Sequence, residues 1–577
     1  MAVPELSPDS DVDMIACTTP SECVFHLVQY RLFISSVLRP TLLLLNNIPM
    51  LFNSYAFIFI FLPVVLLIFF AVGRHNQRLG VFWLVSASLF FYAWWNPRYP
   101  LLLLGSIVFN YGIGTRLIEE RRRNGKSRKS RAILSLGLVV DLALLSYYKY
   151  THFFVENINA LSGMDWNVGE IILPLGISFF TFTQIAFLVD AYRGEVKTYN
   201  FIHYALFITY FPHLIAGPIL HHKEMIPQFT NPSIYQSNAE NIAAGLTVFF
   251  IGLFKKTVLA DGIAPHAVTV FAVAAKGQDL TFLEAWLGGI CYIFQLYFDF
   301  SGYCDMAIGG SLMFGIKLPL NFHSPYKSVN IFEFWRRWHM TLSRFLRDYI
   351  YTPLSHGRQK PWRLMMNLVI TMIVGGVWHG AGWNYFLWGG MHGFFLSVNH
   401  LWRDVRRQVF GHDLRRSTRL GQISACALTI GAFTFSMALF RSPDLESAVR
   451  MMKGMLGLSG IALPLEWRGQ LGSVASFLDA VGVSFQQLNT RVSDTGFRSD
   501  AFKWVLYQGV LVWMMPNTQQ IMGNYFPALA PYQADKQVIS PKLLWAPMPK
   551  WAVVTALVAI IGLANITKVS EFLYYQF

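Results

Sequence analysis

Charge is scarce in this chain, at 14% of 577 residues, and cysteine is scarcer, with five in all. So little charge excludes an ordinary soluble multidomain protein. An odd handful of cysteines with no CxxC spacing excludes a disulfide framework and a thiolate metal site, and Cys291, Cys304 and Cys426 read as small core residues in apolar sequence. Histidines at HEXXH-type spacing are absent, so no metal is read. A serine nucleophile elbow and a Ser-His-Asp order are absent too, which leaves covalent catalysis on serine without support. No internal repeat stands out, which argues against an inverted-repeat transporter.

What fills the sequence is hydrophobic: 54% of residues are hydrophobic and 16% aromatic, with a mean hydropathy of +0.40. A hydrocarbon core of about 30 Å takes roughly 20 apolar residues at about 1.5 Å each. Suitable stretches recur from 55–72 to 551–566, so the fold class is an all-α polytopic membrane protein. It has roughly ten to twelve membrane helices, some broken or re-entrant, with interfacial amphipathic helices around a central tunnel. The net charge of +14 does not point to nucleic acid, because the basic residues sit in short loops beside apolar runs, as cytoplasmic loops do. The loops 74–78, 121–131 and 403–419 are thereby cytoplasmic, and the first span starts outside.

Residues 1–49 read differently from the rest. They open acidic, lack the basic start of a signal peptide, and break their apolar part with Arg31, Arg39 and Pro40. They are expected to be a disordered or non-native extension, with Met50 as initiator and 50–577 as a single membrane domain. Within that domain, 441–502 is expected to be interfacial helix and loop. The segment from Asn330 to Gly357 alternates aromatic and basic residues in helical register and predicts one amphipathic helix on the cytoplasmic side.

Two histidines carry the chemistry. His379, in GGVWHGAGWN, lies in a run from Leu364 to Trp402 that holds no Asp, Glu, Lys or Arg. A titratable ring at membrane depth is a functional-site candidate. The run is long enough for two crossings, with a turn near Gly380 to Asn384, and its glycine breaks predict that His379 lines an internal cavity beside Trp378, Trp383 and Asn384. His339, in FWRRWHMTLSRF, is placed nearer the cytoplasmic mouth. Neutral imidazole, with an ordinary pKa of about 6.5, is well matched to removing an alcohol proton at neutral pH. Arg336, Arg337, Arg344 and Arg347 either attract an anionic ligand or only obey the positive-inside rule. Asp299 and Asp305 are costly at membrane depth unless paired, and are expected to line or structure the cavity.

The segments LPLGISFFTFTQIAFLVDAYRG at Leu173, YFPHLIAGPI at Tyr210, FDFSGYCDMAIGGSLMFGIKLPLNFHSPY at Phe298, FWRRWHMTLSRFLRDYIYTPL at Phe334, GGVWHG at Gly375 and WGGMHG at Trp388, in this order and spacing, resemble the membrane-bound O-acyltransferases, in particular their alginate O-acetyltransferase branch. Where that family carries an acidic residue before the Asn of the LPLNF segment, this chain has Leu320. The resemblance implies His379 as the essential catalytic residue and His339 as the second active-site member. It also implies a thioester donor, acetyl-CoA, with no tightly bound cofactor. The setting it implies is the bacterial inner membrane, with membrane lipid around the protein, an exported polysaccharide such as alginate as acceptor, and a periplasmic SGNH-type acetyltransferase partner. Two alternatives remain at this point: D-alanyl transfer to teichoic acid from a carrier protein, and a proton-coupled transporter using His379 and Asp299 as a relay.

Overall fold

A computed structural model describes residues 50–196, 199–357, 360–413, 417–486, 500–529, 540–566 and 573. The expectation for 1–49 falls outside them. The chain divides into two units, one ending at Leu51 and one running from Phe52 to Phe577. Every helix and strand described lies in the second.

Helices form almost all of it, and the apolar runs of the sequence dictate where. The first part consists of α1 (Leu62–Gly73), α2 (Gln77–Ala93), α3 (Tyr99–Asn124), α4 (Arg128–Ser162), α5 (Ile177–Arg193), α6 (Phe201–Thr209) and α7 (His222–Phe229). Then come α8 (Ala239–Phe254), α9 (Asp261–Ala275), α10 (Phe282–Met313), α11 (Ile331–Arg337), α12 (Met340–Leu346), α13 (Pro361–His379), α14 (Trp383–Gln408), α15 (Arg419–Arg441), α16 (Leu445–Met455), α17 (Asp500–Met514) and α18 (Pro549–Ala564). Among the described residues, five segments are long and apolar enough to cross a bilayer: α3, α4, the continuous stretch Ala239–Ala275, α13 and α15. Local signals set their ends. Ser127 and Ser130 form a capping box at the start of α4, and Gly163 closes it in the left-handed conformation. Pro361 opens α13, where its missing N–H costs nothing.

The centre of the molecule is α10, buried along nearly its whole length and crossed closely by α8. Glycines make that crossing possible. A Cβ on Gly245 would lie 2.7 Å from the Gly309 carbonyl and one on Gly309 2.5 Å from the Gly245 carbonyl, and Gly252 and Gly302 repeat the arrangement seven residues away in each helix (252 − 245 and 309 − 302). Small residues that let backbones touch supply the packing that hydrophobic burial cannot supply in lipid. Between α8 and α9 the chain widens into a π-helical segment, Lys255–Ala260, which brings two lysines against α10. Lys255 Nζ lies 2.5 Å from Asp305, and Lys256 Nζ lies 2.6 Å from Asp299 and 2.9 Å from Asp261.

In the 441–502 region the described residues include α16 and two short parallel strands, β1 (Ile461–Pro464) and β2 (Val483–Gln486). The strands are an addition to the helix and loop expected there.

Candidate active site

The expected hairpin from Arg363 to Arg403 is present. α13 runs about 27 Å from Pro361 to His379, turns through Gly380–Gly382 and returns as α14. The two helices pack through glycine: a Cβ on Gly376 would meet the Tyr385 carbonyl at 2.2 Å, and one on Gly389 the Met372 carbonyl at 2.4 Å. Both ends of the hairpin are basic, and His379 lies at the turn, away from them.

Aromatic rings surround the His379 imidazole. Trp378, Trp388, Phe440 and His339 have centroids 4.8, 5.4, 5.2 and 6.4 Å away. Trp383, expected here, is instead 52% exposed and donates its indole N–H to Asn157. It occupies the first turn of α14, and Trp388, five residues on, is the one turned inward against His379.

The amphipathic segment does not form the single helix expected. It breaks at Trp338, which is extended, and His339, which is left-handed at φ 42°, a conformation that is strained for any residue but glycine and collects at functional sites. Polar partners from the LPLNFH segment replace the missing helical bonds. The Met340 N–H donates to the Asn321 carbonyl at 3.0 Å and the His323 N–H to the Arg337 carbonyl at 3.0 Å. Asn321 Oδ1 accepts from the Thr341 N–H at 3.2 Å, from Thr341 Oγ1 at 3.0 Å and from His339 Nδ1 at 3.1 Å. A backbone donor identifies that atom as the amide oxygen, so His339 carries its proton on Nδ1, and Nε2 is the lone-pair nitrogen of the neutral ring. His339 is 1% exposed. It stands beside His379 in the interior and not at a mouth, because the break at 338–339 folds the segment inward.

A cavity of about 110 Å³ ends on His379; Trp95, Lys149, Pro174, Ser178 and Trp378 contribute to its wall. Trp95 follows the end of α2 away from the basic loops, and Pro174 and Ser178 lie at the start of α5, which runs back to Arg193. The cavity therefore lies on the side of the imidazole away from the basic loops.

Of the other predicted site residues, Trp378 joins the site. Asn384 is buried, with its Nδ2 on the Ser442 carbonyl at 2.9 Å. Asp299 and Asp305 are engaged by Lys256 and Lys255, so they tie α10 to the π-helical segment and do not line the His379 cavity. Arg344 makes a two-pronged pair with Glu224 at 2.5 and 2.9 Å, Arg337 pairs with Glu333 at 2.8 Å, Arg347 pairs with Asp348, and Arg336 is exposed. Near them, Asp190 Oδ1 accepts from the Tyr349 hydroxyl at 3.0 Å and Asp190 Oδ2 lies 3.5 Å from His222 Nδ1. Burial and then the nearby Arg344 push the His221 pKa down to about 3, and burial pushes His222 down to about 4.

Sequence reasoning missed Lys149, Asn321, Trp388 and Phe440. Lys149 had a signal, a lone cation in the apolar stretch 132–150; the other three become visible only through contacts distant in sequence.

Residues 177–440 match the family model described as MBOAT, membrane-bound O-acyltransferase family. The chain is 43% identical to a peptidoglycan O-acetyltransferase of Helicobacter pylori over 73% of its length and 82% of that protein. It is 40% identical to the probable alginate O-acetylase AlgI of Pseudomonas aeruginosa over 70% and 75% of the two chains. A teichoic acid D-alanyltransferase of Lacticaseibacillus rhamnosus is 26% identical over 66% of this chain and 93% of that one. With a paired-histidine site inside a helical membrane domain, these likenesses place the chain in the membrane-bound O-acyltransferase family, as a multi-pass membrane O-acetyltransferase.

Proposed function

We propose that the protein moves an acetyl group from acetyl-CoA on the cytoplasmic side of a bacterial inner membrane to a hydroxyl presented from the outer side, for O-acetylation of an exported polysaccharide. A periplasmic SGNH-type partner completes the transfer. The observation that carries this reading is the position of His379, on the wall of an outward-lying cavity and within one ring contact of His339.

In the step itself the acceptor oxygen bonds to the acetyl carbonyl carbon while the carbon–sulfur bond breaks. His379 takes the hydroxyl proton and returns it to the departing thiolate. His339, oriented through Nδ1 by Asn321, directs its Nε2 lone pair at the reacting groups or at the proton in transit. The aromatic cage excludes water that would hydrolyse the thioester. Of Arg336, Arg337 and Arg344, the last two are already paired with carboxylates, so Arg336 is the one that meets the donor's phosphates.

Support for the acetyl reaction over D-alanyl transfer comes from the higher identity to relatives named for O-acetylation. A proton relay through His379 and Asp299 has no geometric support, since Asp299 is engaged by Lys256. The test is transfer of radiolabelled acetyl from acetyl-CoA by purified protein in lipid nanodiscs. General-base removal should cost His379→Ala about 10²–10⁴-fold in rate with folding intact, and a folded variant with the wild-type rate would refute the proposal.

A further inference from the structure

The end of α13, which carries His379, is held by a helix that the reaction as proposed does not use. Lys149 lies 21 residues after Arg128 in α4 (149 − 128), about 32 Å along the helix axis and so at the outer end of the span. Its Nζ donates to the Trp378 carbonyl at 2.5 Å and to the His379 carbonyl at 3.0 Å, and reaches Ser178 Oγ at 3.5 Å. The neighbouring Tyr150 hydroxyl donates to the Val377 carbonyl at 2.7 Å.

These three carbonyls end a helix whose chain leaves in an extended conformation, with Gly380 at φ −160° and ψ 156°. Extended as it is, Gly380 does not form the left-handed glycine cap that closes many helices. A Cβ at Gly380 would lie 2.1 Å from the Tyr385 ring, so the backbone there is also packed too tightly for any other residue. An ammonium suits this end of a helix, where the macrodipole is negative. An ammonium at membrane depth is also costly unless paired; among the described residues Lys149 forms no ion pair with a carboxylate, and its nearest partners are backbone oxygens of the turn that carries His379, with Ser178 Oγ beyond them. Lys149 and His379 share one cavity wall.

We propose that Lys149 is the positioning residue of His379: its ammonium, helped by the Tyr150 hydroxyl, fixes the last turn of α13 and so fixes the imidazole over the cavity. The inference rests on His379 being the base. A role limited to anchoring two helices would change stability alone, whereas positioning changes the turnover of protein that remains folded.

The experiment uses the full chain in lipid nanodiscs, measuring O-acetyl product at saturating and limiting acetyl-CoA. Lys149→Met should lower kcat by about 10²-fold, the order expected for a shift of about 1 Å in a reacting group, and leave the KM for acetyl-CoA within about twofold because the donor side is untouched. Lys149→Arg should recover part of the loss. In Lys149→Ala, ethylammonium entering from the outer cavity should raise kcat with saturation, while tetramethylammonium, which has no N–H to donate, should not. Ethylammonium should restore nothing when His379→Ala is added. A folded Lys149→Met with wild-type kcat, or a Lys149→Ala rate that ethylammonium leaves unmoved, overturns the proposal. If neither variant folds, Tyr150→Phe decides: a kcat reduced about 3–10-fold, by analogy with loss of one neutral hydrogen bond, supports positioning, and a wild-type kcat overturns it. His379→Ala inactive with Lys149→Met normal would sink this inference alone; His379→Ala active would sink the assignment of the base.

Discussion

Replacing Gly376 with alanine puts a single methyl group where the hairpin that carries His379 has no room. The new Cβ would lie 2.2 Å from the Tyr385 carbonyl oxygen and 3.1 Å from the Gly389 backbone, whereas ordinary contact begins at 3.4 Å. The shortfall against the carbonyl is about 1.2 Å (3.4 − 2.2), and the obstacle is helix backbone, which cannot rotate away as a side chain does. The hairpin must therefore open by about that distance, one helical turn from His379. Overpacking of this kind costs about 1–3 kcal/mol in stability, and a misplacement of about 1 Å at a reacting group costs about 10²-fold in rate. Gly376→Ala should thus lower kcat about 10²-fold and lower the melting temperature measurably, with the KM for acetyl-CoA little changed. Gly390→Ala, in the same hairpin, is the control. Its Cβ would find its nearest neighbour, Ile373 Cγ1, at 3.9 Å, so rate and stability should both survive. Acetyl transfer from radiolabelled donor, with thermal unfolding in the same nanodiscs, reads both. A Gly376→Ala protein of native stability and full rate, or a Gly390→Ala protein equally damaged, would refute the reasoning.

Asn321→Ala removes the oxygen that serves His339 and both donors of Thr341, at about 1–3 kcal/mol for each buried donor left unpaired. Its kcat should fall at least about tenfold by loss of base positioning, and Thr341→Val should fall less; equal activity of both variants and the wild type in the transfer assay would count against the His339 role. Lys256→Met leaves Asp299 and Asp261 buried without their cation and should lose about 3–5 kcal/mol. Thermal unfolding checks this, with Asp299→Asn added to Lys256→Met recovering part of the loss. His221 and His222 are held below the ordinary histidine pKa of about 6.5. As pH falls the unfolded chain takes up their protons first, so the stability they contribute is full above about 6.5 and drains away down to about 4 for His222 and about 3 for His221, while Asp190, raised by burial, opposes the trend at the acid end. Melting temperature against pH should fall less steeply from about pH 6.5 to about pH 5 in His222→Gln, and an unchanged profile would show that His222 is not the group responsible.

The place of His379, at the turn of a buried hairpin, was legible because its signal is local: an uncharged run of two spans' length, interrupted by glycine and carrying a titratable ring, needs no tertiary contact to be noticed. The hairpin and its turn followed from basic residues at both ends. The break at His339 was not legible, since the aromatic and basic periodicity continues across it in the sequence. Only the insertion of Asn321 and His323 alongside supplies the hydrogen bonds that sustain a break there. Trp383 was expected beside His379 and Trp388 was not; which face of α14 turns inward is decided by the glycine contacts with α13. Asp299 and Asp305 were recognised as needing partners, but their lysines arrive through a π-helical widening that no pattern announces.

By itself the sequence determined that the chain is a helical membrane protein and that one histidine sits at a glycine-broken turn between two apolar helices, because hydropathy and glycine breaks act over a few residues. The tertiary structure alone decided that two histidines 40 residues apart (379 − 339) meet at 6.4 Å and that a lysine 230 residues before His379 closes its helix. Those are meetings of backbone and side chain across the bundle, set by how closely glycine lets helices approach and by which buried polar groups find partners there.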